Sequence, residues 1–582
     1  MPSSSRASGS AAAQTPRAPA PSPKSRLDEA VARLRDGAGR FASLSLNERI
    51  SLLRAMRAGY ARVAATSVEA CCRAKRIVLG TPLEAEEWAL GPWPVLRQFR
   101  LLIEALRALR RGRDMPLGPL GRTVDGRLRI EVFPGSTLDQ FLFPSTRAEV
   151  HFRAAIGDRE VLGMRGYVYR QPPGPGTVTL VLPPGNAAAV PVLDALTTMF
   201  NERKVCLLKL HPINAYLGPL LEEAFEPAIS KGFLQIVYGD ADEGRYLAHH
   251  RGVDEIRLCG RAETFERLLW GEDRPEQEER KSLHQPLYAK PLTSHLGCVA
   301  PVIIVPGPYL DRQIAFQAEA LAGAMVHNAG LNCHTPRLLV TPRGWAQRGD
   351  FLRHLEAALA RAPLRLAYYP GAVEHWQRVT ANRRELRTIG APVGGMLPWT
   401  IVPGLDPASR REPLFAAEAF CPVLGEVQIG GADPLEFLQQ AVGFVNERVW
   451  GTLSATLIVH PRALSDHLLA AAVERAIAQL RYGAVGVNVW PAQLFALGAA
   501  PWGAHPSSGP SEVQSGRGWT HNTAMLGEIE KAVVRQPLTQ QLKPAYAPGH
   551  RSADTLLRRL TEVERGAGWA GLPGVLEAAL RS

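Results

Sequence analysis

The sequence lacks any apolar stretch of membrane-spanning length; "CVAPVIIVPG" is short and broken by prolines, so no transmembrane span is expected. It also lacks a Lys/Arg block interleaved with aromatics, although the formal net charge is +12. Four of those charges, Arg6, Arg17, Lys24 and Arg26, lie in an acid-free N-terminal segment; subtracting 4 from 12 leaves +8, spread among many acids. That distribution disfavours a nucleic-acid surface and leaves basic surface able to attract anionic ligands. Cysteines are few and odd in number, seven, with no signal peptide, which points to a reduced compartment rather than a disulfide framework. A soluble cytoplasmic protein is therefore expected. No repeat of fixed period is present, and no metal site is indicated.

A length of 582 residues exceeds what one core usually organises, so two or three domains are expected. Residues 1–26 are rich in Ser, Ala and Pro with almost nothing to bury, and read as a disordered tail. From Leu27 to about Arg113 apolar residues recur at helical spacing. The stretch from 116 to 166 is less regular, either strands or an insertion that contacts another subunit. Beyond it, "VTLVL", "VCLLKL", "LQIVY" and "EIRLC" are apolar runs separated by helix-like segments, the βαβ alternation of a doubly wound parallel sheet. No G-x-G-x-x-G follows any of these strands, since "GPGT" precedes its strand, so a nucleotide would have to be held by other means. A second α/β block, about 296 to 502, offers the strands "PVIIV", "RLLVT", "ATLIV" and "GVNVW". The resulting division is a tail (1–26), a helical region with a dinucleotide-binding domain (27–294), a catalytic domain (295–505), a return segment for oligomerisation (506–540) and a C-terminal helical extension (541–582).

One cysteine, Cys333 in "GLNCHTPRLLV", sits in a polar turn between an amphipathic stretch and a strand. Alone, a cysteine in such a place is usually a small buried hydrophobe, with a nucleophile as its other reading. Its context extends the second reading. "PPGNAAAVPVLDALTTMF", "VCLLKLHP", "GDADEG", "LCGR", "SHLGCVAPVIIV", "GLNC" and "EAFCPVLGEV" follow one another in the order and approximate intervals of the aldehyde dehydrogenase superfamily. The sequence resembles that family across residues 27–538. The resemblance implies an α/β fold with a Rossmann-type nicotinamide-binding domain, an α/β catalytic domain holding a thiol, and a small bridging element that builds a homodimer or homotetramer. It implies NAD or NADP as cofactor and oxidation of an aldehyde through a cysteine thiohemiacetal and thioester. By position Cys333 matches the nucleophile, Asn186 the side-chain amide that holds the oxyanion, Lys209 the lysine at the adenosine ribose, and Glu418 the carboxylate at the nicotinamide ribose. Phe420 matches the aromatic beside that ring, with core filler as its other reading. Gly239 and Gly260 follow strands where backbone turns tightly or approaches a phosphate. Pro212 stands where NAD-preferring relatives often carry a Glu, which leaves NADP open.

Four positions depart from the family pattern. His295, in "HLGCV", replaces the family's general-base Glu; it serves as an alternative base, fills a polar structural place, or marks a site without hydrolytic power. Cys298 replaces a glycine and Leu331 a glutamine. Arg261 replaces a serine and would either grip a cofactor phosphate or block it. An acyl-CoA (acyl-thioester) reductase, whose acyl group meets a thiol instead of activated water, is therefore an alternative, as is a catalytically degenerate nucleotide-binding subunit. Trp490, Phe495 and Trp502 suggest an aromatic lining or core near the end of the catalytic domain.

Overall fold

The computed structural model describes residues 17–113, 117–154, 156–507, 509 and 511–581. Most of the segment expected to be disordered, residues 1–16, lies outside the described residues. The remainder is placed: Ser22 exchanges hydrogen bonds with the backbone of Tyr238, and a helix begins at Lys24. The sequence has nothing to bury before Leu27, but the stripe Leu27, Ala30, Val31 and Leu34 is buried, and the turn before it is carried along with the helix.

Four helices fill the N-terminal region read as helical, Lys24–Ser43, Leu46–Ala74, Ala85–Ala89 and Pro92–Arg110. The first break falls at Ser45, whose side chain accepts from the Glu48 N–H while Glu48 caps the Ser45 N–H, a capping box that starts a new helix. These helices cover a six-stranded sheet. Its order is Gly516–Arg517, Leu292–Leu296, Glu255–Gly260, Val178–Leu182, Val205–Lys209, Leu234–Val237, all parallel except the first. The four apolar runs expected as strands are four of these six.

The second sheet has eleven strands. Its parallel centre, Ile529–Arg535, Ala484–Val487, Ser454–Ile458, Pro301–Ile304, Leu338–Pro342, Val423–Ile429 and Trp399–Leu405, contains three of the runs expected in the second block, while of "GVNVW" only Gly486 and Val487 are in a strand, which starts two residues earlier at Ala484. The irregular stretch 116–166 supplies strands: Leu120–Arg122, Leu128–Phe133 and Arg147–Phe152 form an antiparallel meander that extends this sheet beside Ile529–Arg535. The chain passes from one sheet to the other through residues 297–300, so the segment after His295 lies where the two layers meet. Among the described residues no helix is long and apolar enough to cross a membrane.

The C-terminal extension packs back on the N-terminal helices. Its helices Ala553–Glu562 and Leu572–Leu580 share a core with Trp88 and Trp93, and the turn between them buries Glu564. The Glu564 carboxylate accepts from Arg97 Nη1 at 2.8 Å and Arg100 Nε at 2.6 Å, while Arg97 Nη2 donates to Asp139 at 2.9 Å. Removing one member of such a buried set strands the others. Glu564→Ala is expected to cost about 3–5 kcal/mol and to expose residues 553–581 to proteolysis; an unchanged cleavage pattern and melting temperature would show that the extension docks without this network.

Candidate active site

The thiol of Cys333 stands on a loop in an uncommon backbone conformation. Asn328, Ala329 and Gly330 have φ of 56°, 57° and 72°, three consecutive left-handed residues of which two carry side chains. Buried polar partners hold this loop. Lys75 Nζ donates to Asn328 Oδ1 at 3.0 Å and to Glu87, Glu86 accepts the Asn328 N–H at 3.0 Å, and the Asn328 amide donates to the Asn186 carbonyl at 3.0 Å. The fully buried Arg337 guanidinium donates to the carbonyls of Gly330 and Cys421.

Asn186 and Cys333 are brought together. The Asn186 side-chain amide donates one hydrogen bond to the Leu331 carbonyl at 2.8 Å, two residues before the thiol. Cys298, at the crossing between sheets, donates from Sγ to the Cys333 carbonyl at 3.4 Å and lies 3.7 Å from Ser454 Oγ. Burial pushes the Cys333 thiol well above its ordinary value, and Glu418 and Cys298 push the same way, while its own backbone N–H and Arg337 oppose them.

His295 is placed elsewhere. Its Nε2 lies 3.4 Å from Arg257 Nη1, and burial, with Arg257 and His521, lowers its pKa to about 3. Arg257 in turn pairs with Glu202. The imidazole in contact with the thiol is that of His334, whose Nδ1 is 3.5 Å from Cys333 Sγ. Burial holds His334 down at about 3, with His327 and Arg337 adding to the effect, so it is neutral at ordinary pH. Its carbonyl accepts from Trp490 Nε1 at 3.0 Å, and its ring packs against Trp490 and Trp502. Sequence reasoning missed His334, although it is the residue next to the cysteine.

Lys209, Gly239, Gly260 and Arg261 lie at the carboxyl ends of the six-stranded sheet, where such sheets receive ligands, and Glu418 and Phe420 come from the loop before Val423–Ile429 of the second sheet. Burial lowers Lys209 to about 8, partly offset by Glu243 and Asp240. Gly260 ends its strand facing open space, since a Cβ there would meet nothing within 4 Å. Gly239 has a local reason as well: a Cβ would overlap the Glu243 carboxylate, which caps the helix Ala241–His249. Arg261 stacks over Tyr369 and Phe420, 5.7 and 5.5 Å from their centroids, and donates to the Pro370 carbonyl at 3.1 Å. Tyr369 also reaches His211, with its hydroxyl 3.5 Å from Nε2. Neither Tyr369 nor His211 was singled out from the sequence. Glu418 packs against Gly297, where a Cβ would overlap its carboxyl, and its Oε1 is buried without a hydrogen-bond partner. Burial raises Glu418 to about 8, against the pull of Arg337 and Arg261. An unpartnered carboxyl oxygen, an open glycine and a desolvated lysine, two of them at strand ends of the first sheet and one on a loop of the second, fit the hydroxyls and phosphates of a dinucleotide.

No family model matches the chain. Geranial dehydrogenase of Castellaniella defragrans is 24% identical to it over 312 residues, 50% of this chain and 56% of that protein, so the match spans little more than half of the relative's length. Among solved structures, an NADP-dependent glyceraldehyde-3-phosphate dehydrogenase from Bacillus halodurans, complexed with NADP, superposes with a TM-score of 0.57 at 14% identity over 88% of this chain and 92% of that one. An NAD-dependent aldehyde dehydrogenase from Sinorhizobium meliloti gives 0.57 at 18% identity, covering 89% and 88%. Gamma-glutamyl-gamma-aminobutyraldehyde dehydrogenase from Burkholderia cenocepacia gives 0.55 at 19%, covering 88% of each. The chain thus has the aldehyde dehydrogenase fold, as the sequence motifs imply.

The Glu418 shift has a thermodynamic consequence. A carboxyl whose folded pKa is raised from 4.5 to about 8 keeps its proton in the native state, so its stabilising effect is complete below the unfolded value and is lost as pH rises through the folded one. Glu418→Gln is expected to melt close to wild type near about pH 5 and above it near about pH 9, and to alkylate faster at Cys333 in the alkaline range. A gap in melting temperature that is constant with pH would contradict the assignment.

Proposed function

We propose that this protein is an NAD(P)-dependent aldehyde dehydrogenase in which Cys333 is the nucleophile. The observation that carries this reading is the contact set of Cys333: an imidazole 3.5 Å from the sulfur and the Asn186 amide bound to the same loop, with Glu418 beside it. Cys333 Sγ adds to the aldehyde carbon in the same step as the thiol proton passes to Nδ1 of the neutral His334, a transfer that burial disfavours at rest and that the oxyanion forming beside the imidazolium offsets. The Cys333 N–H and the second N–H of Asn186 hold the resulting oxyanion. Lys209, Gly260, Arg261 and Glu418 would hold the dinucleotide, with Phe420 packed beside it. When bound, NAD(P)+ supplies the hydride acceptor that converts the thiohemiacetal to a thioester. Water then attacks the thioester, releasing the acid and returning the thiol. A homodimer or homotetramer, which the sequence resemblance implies, is part of the proposal.

A second reading has its own support. The family's Glu position holds His295, which faces Arg257, and the carboxyl nearest the thiol, Glu418, is raised to about 8, so a ready base for water is weak. Under that reading an acyl thioester donates its acyl group to Cys333 and the enzyme runs reductively.

Two sets of measurements test these readings. Cys333→Ser is expected to abolish NAD(P)H formation from aldehydes. His334→Ala is expected to lower kcat by about a hundred- to ten-thousandfold, as loss of a general base does, whereas His295→Ala changes it little; the reverse order would make His295 the base. NAD(P)H oxidation with acyl-CoA, in the absence of aldehyde oxidation, would select the reductase. Dinucleotide binding without either turnover would select the degenerate subunit.

A further inference from the structure

A cavity of about 1510 Å³ lies between the N-terminal helices, the second sheet and the C-terminal extension. It is larger than the roughly 300–1,000 Å³ of ordinary small-molecule sites. It is separate from the dinucleotide cleft: Lys209, Gly260, Arg261, Glu418 and Phe420 are not among its walls. His334, whose Nδ1 touches the Cys333 sulfur, is one of its walls, while Cys333 lies just behind that imidazole and not on the wall itself. The cavity therefore meets the thiol through His334, and the cleft meets it through Glu418.

Its walls are chiefly apolar. Trp93, Phe143, Trp490 and Phe495 supply aromatic faces, and Phe143 and Phe495 pack on the same cluster as Cys333. Leu557, Leu560, Val575 and Ala579 close it from the two helices of the C-terminal extension. The charged side chains among its walls are either paired or turned to solvent. Lys75 and Arg365 are buried but neutralised by Glu87 and Glu86, and Arg76, Arg361, Lys543 and Arg551 are exposed. A space of this size with apolar walls gains from taking up hydrocarbon and gives water few partners.

Building on the reading of Cys333 as nucleophile, we propose that this cavity holds the hydrocarbon chain of the substrate, so that the substrate class is long-chain or similarly bulky apolar aldehydes, or the matching acyl thioesters, rather than small polar ones. The carbonyl end lies at His334 and Cys333, and the chain runs along the C-terminal helices. The extension is then part of the substrate site.

Binding and turnover are measured separately so that this proposal and the catalytic reading can fail independently. The linear alkanols from hexanol to dodecanol, which cannot react, are titrated calorimetrically into wild type, Cys333→Ser, Leu557→Trp and Leu576→Arg. Leu576 is a half-exposed wall residue whose substitution leaves the buried core intact. Affinity is expected to rise roughly fourfold per methylene, the factor that corresponds to about 0.8 kcal/mol. Both wall variants are expected to weaken dodecanol at least tenfold, and Cys333→Ser to leave it within twofold. In active enzyme the ratio of kcat/KM for dodecanal over propanal should fall at least tenfold in the wall variants. Affinity independent of chain length, or dodecanol binding indifferent to both wall variants, would overturn the cavity assignment whatever the turnover. Chain-length-dependent binding with no turnover of any aldehyde or thioester would leave it standing and remove the catalytic reading instead.

Discussion

The candidate site depends on one buried cation. Arg337 enters the second sheet just before Leu338–Pro342, and its guanidinium donates to the carbonyls of Gly330 and Cys421. Those carbonyls belong to the two loops that carry Cys333 and Glu418. A left-handed run such as Asn328 to Gly330 turns its carbonyls away from regular partners, and a fully buried carbonyl without a donor is costly. Arg337 supplies the donor and fixes the spacing of the loops together. Its planar fork can serve two acceptors at once, which a lysine at this position could not do with the same geometry.

The same loop is tied to the opposite end of the chain. Lys75, from the C-terminal end of the second helix, reaches Asn328, and Glu86 caps the Asn328 N–H while pairing with Arg365 at 2.7 Å. The N-terminal helices are therefore part of the support of the site as well as the cover of the first sheet. They are also the surface on which the C-terminal extension docks, through Arg97, Arg100 and Glu564. One set of helices thus fixes the thiol loop on one side and carries the wall of the large cavity on the other.

Much of the fold was legible because its strands are buried on both faces. "VTLVL", "VCLLKL", "PVIIV" and "ATLIV" read as continuous apolar runs for that reason. Trp399–Leu405 escaped because Pro403 and Gly404 interrupt it, and there the strand pairing itself shifts register. At the candidate site, Cys333, Asn186 and Glu418 were singled out through ordered motifs. His334 carried a signal, adjacency to the cysteine, that family position outweighed in favour of His295. Arg337 also carried one, a charge at the mouth of the apolar run "RLLV", which only a buried partner set explains. Lys75 and Tyr369 carried none, since their contacts join segments more than a hundred residues apart.

The ionisable groups around the sulfur share a direction. Burial raises Cys333 and Glu418, the latter to about 8, and lowers His334 to about 3, each toward its neutral form. The resting pocket is consequently a thiol beside an imidazole rather than an ion pair, and the charge of Arg337 remains just behind the loop. In such surroundings a thiolate formed in advance is disfavoured, so proton transfer and carbon–sulfur bond formation are best concerted. Under the proposed reading the negative charge then appears first on the substrate oxygen, where fixed N–H donors in a buried pocket act with more force than they would in water. A site built this way spends little reactivity on water or oxidants and acquires it from the carbonyl that it is shaped to receive.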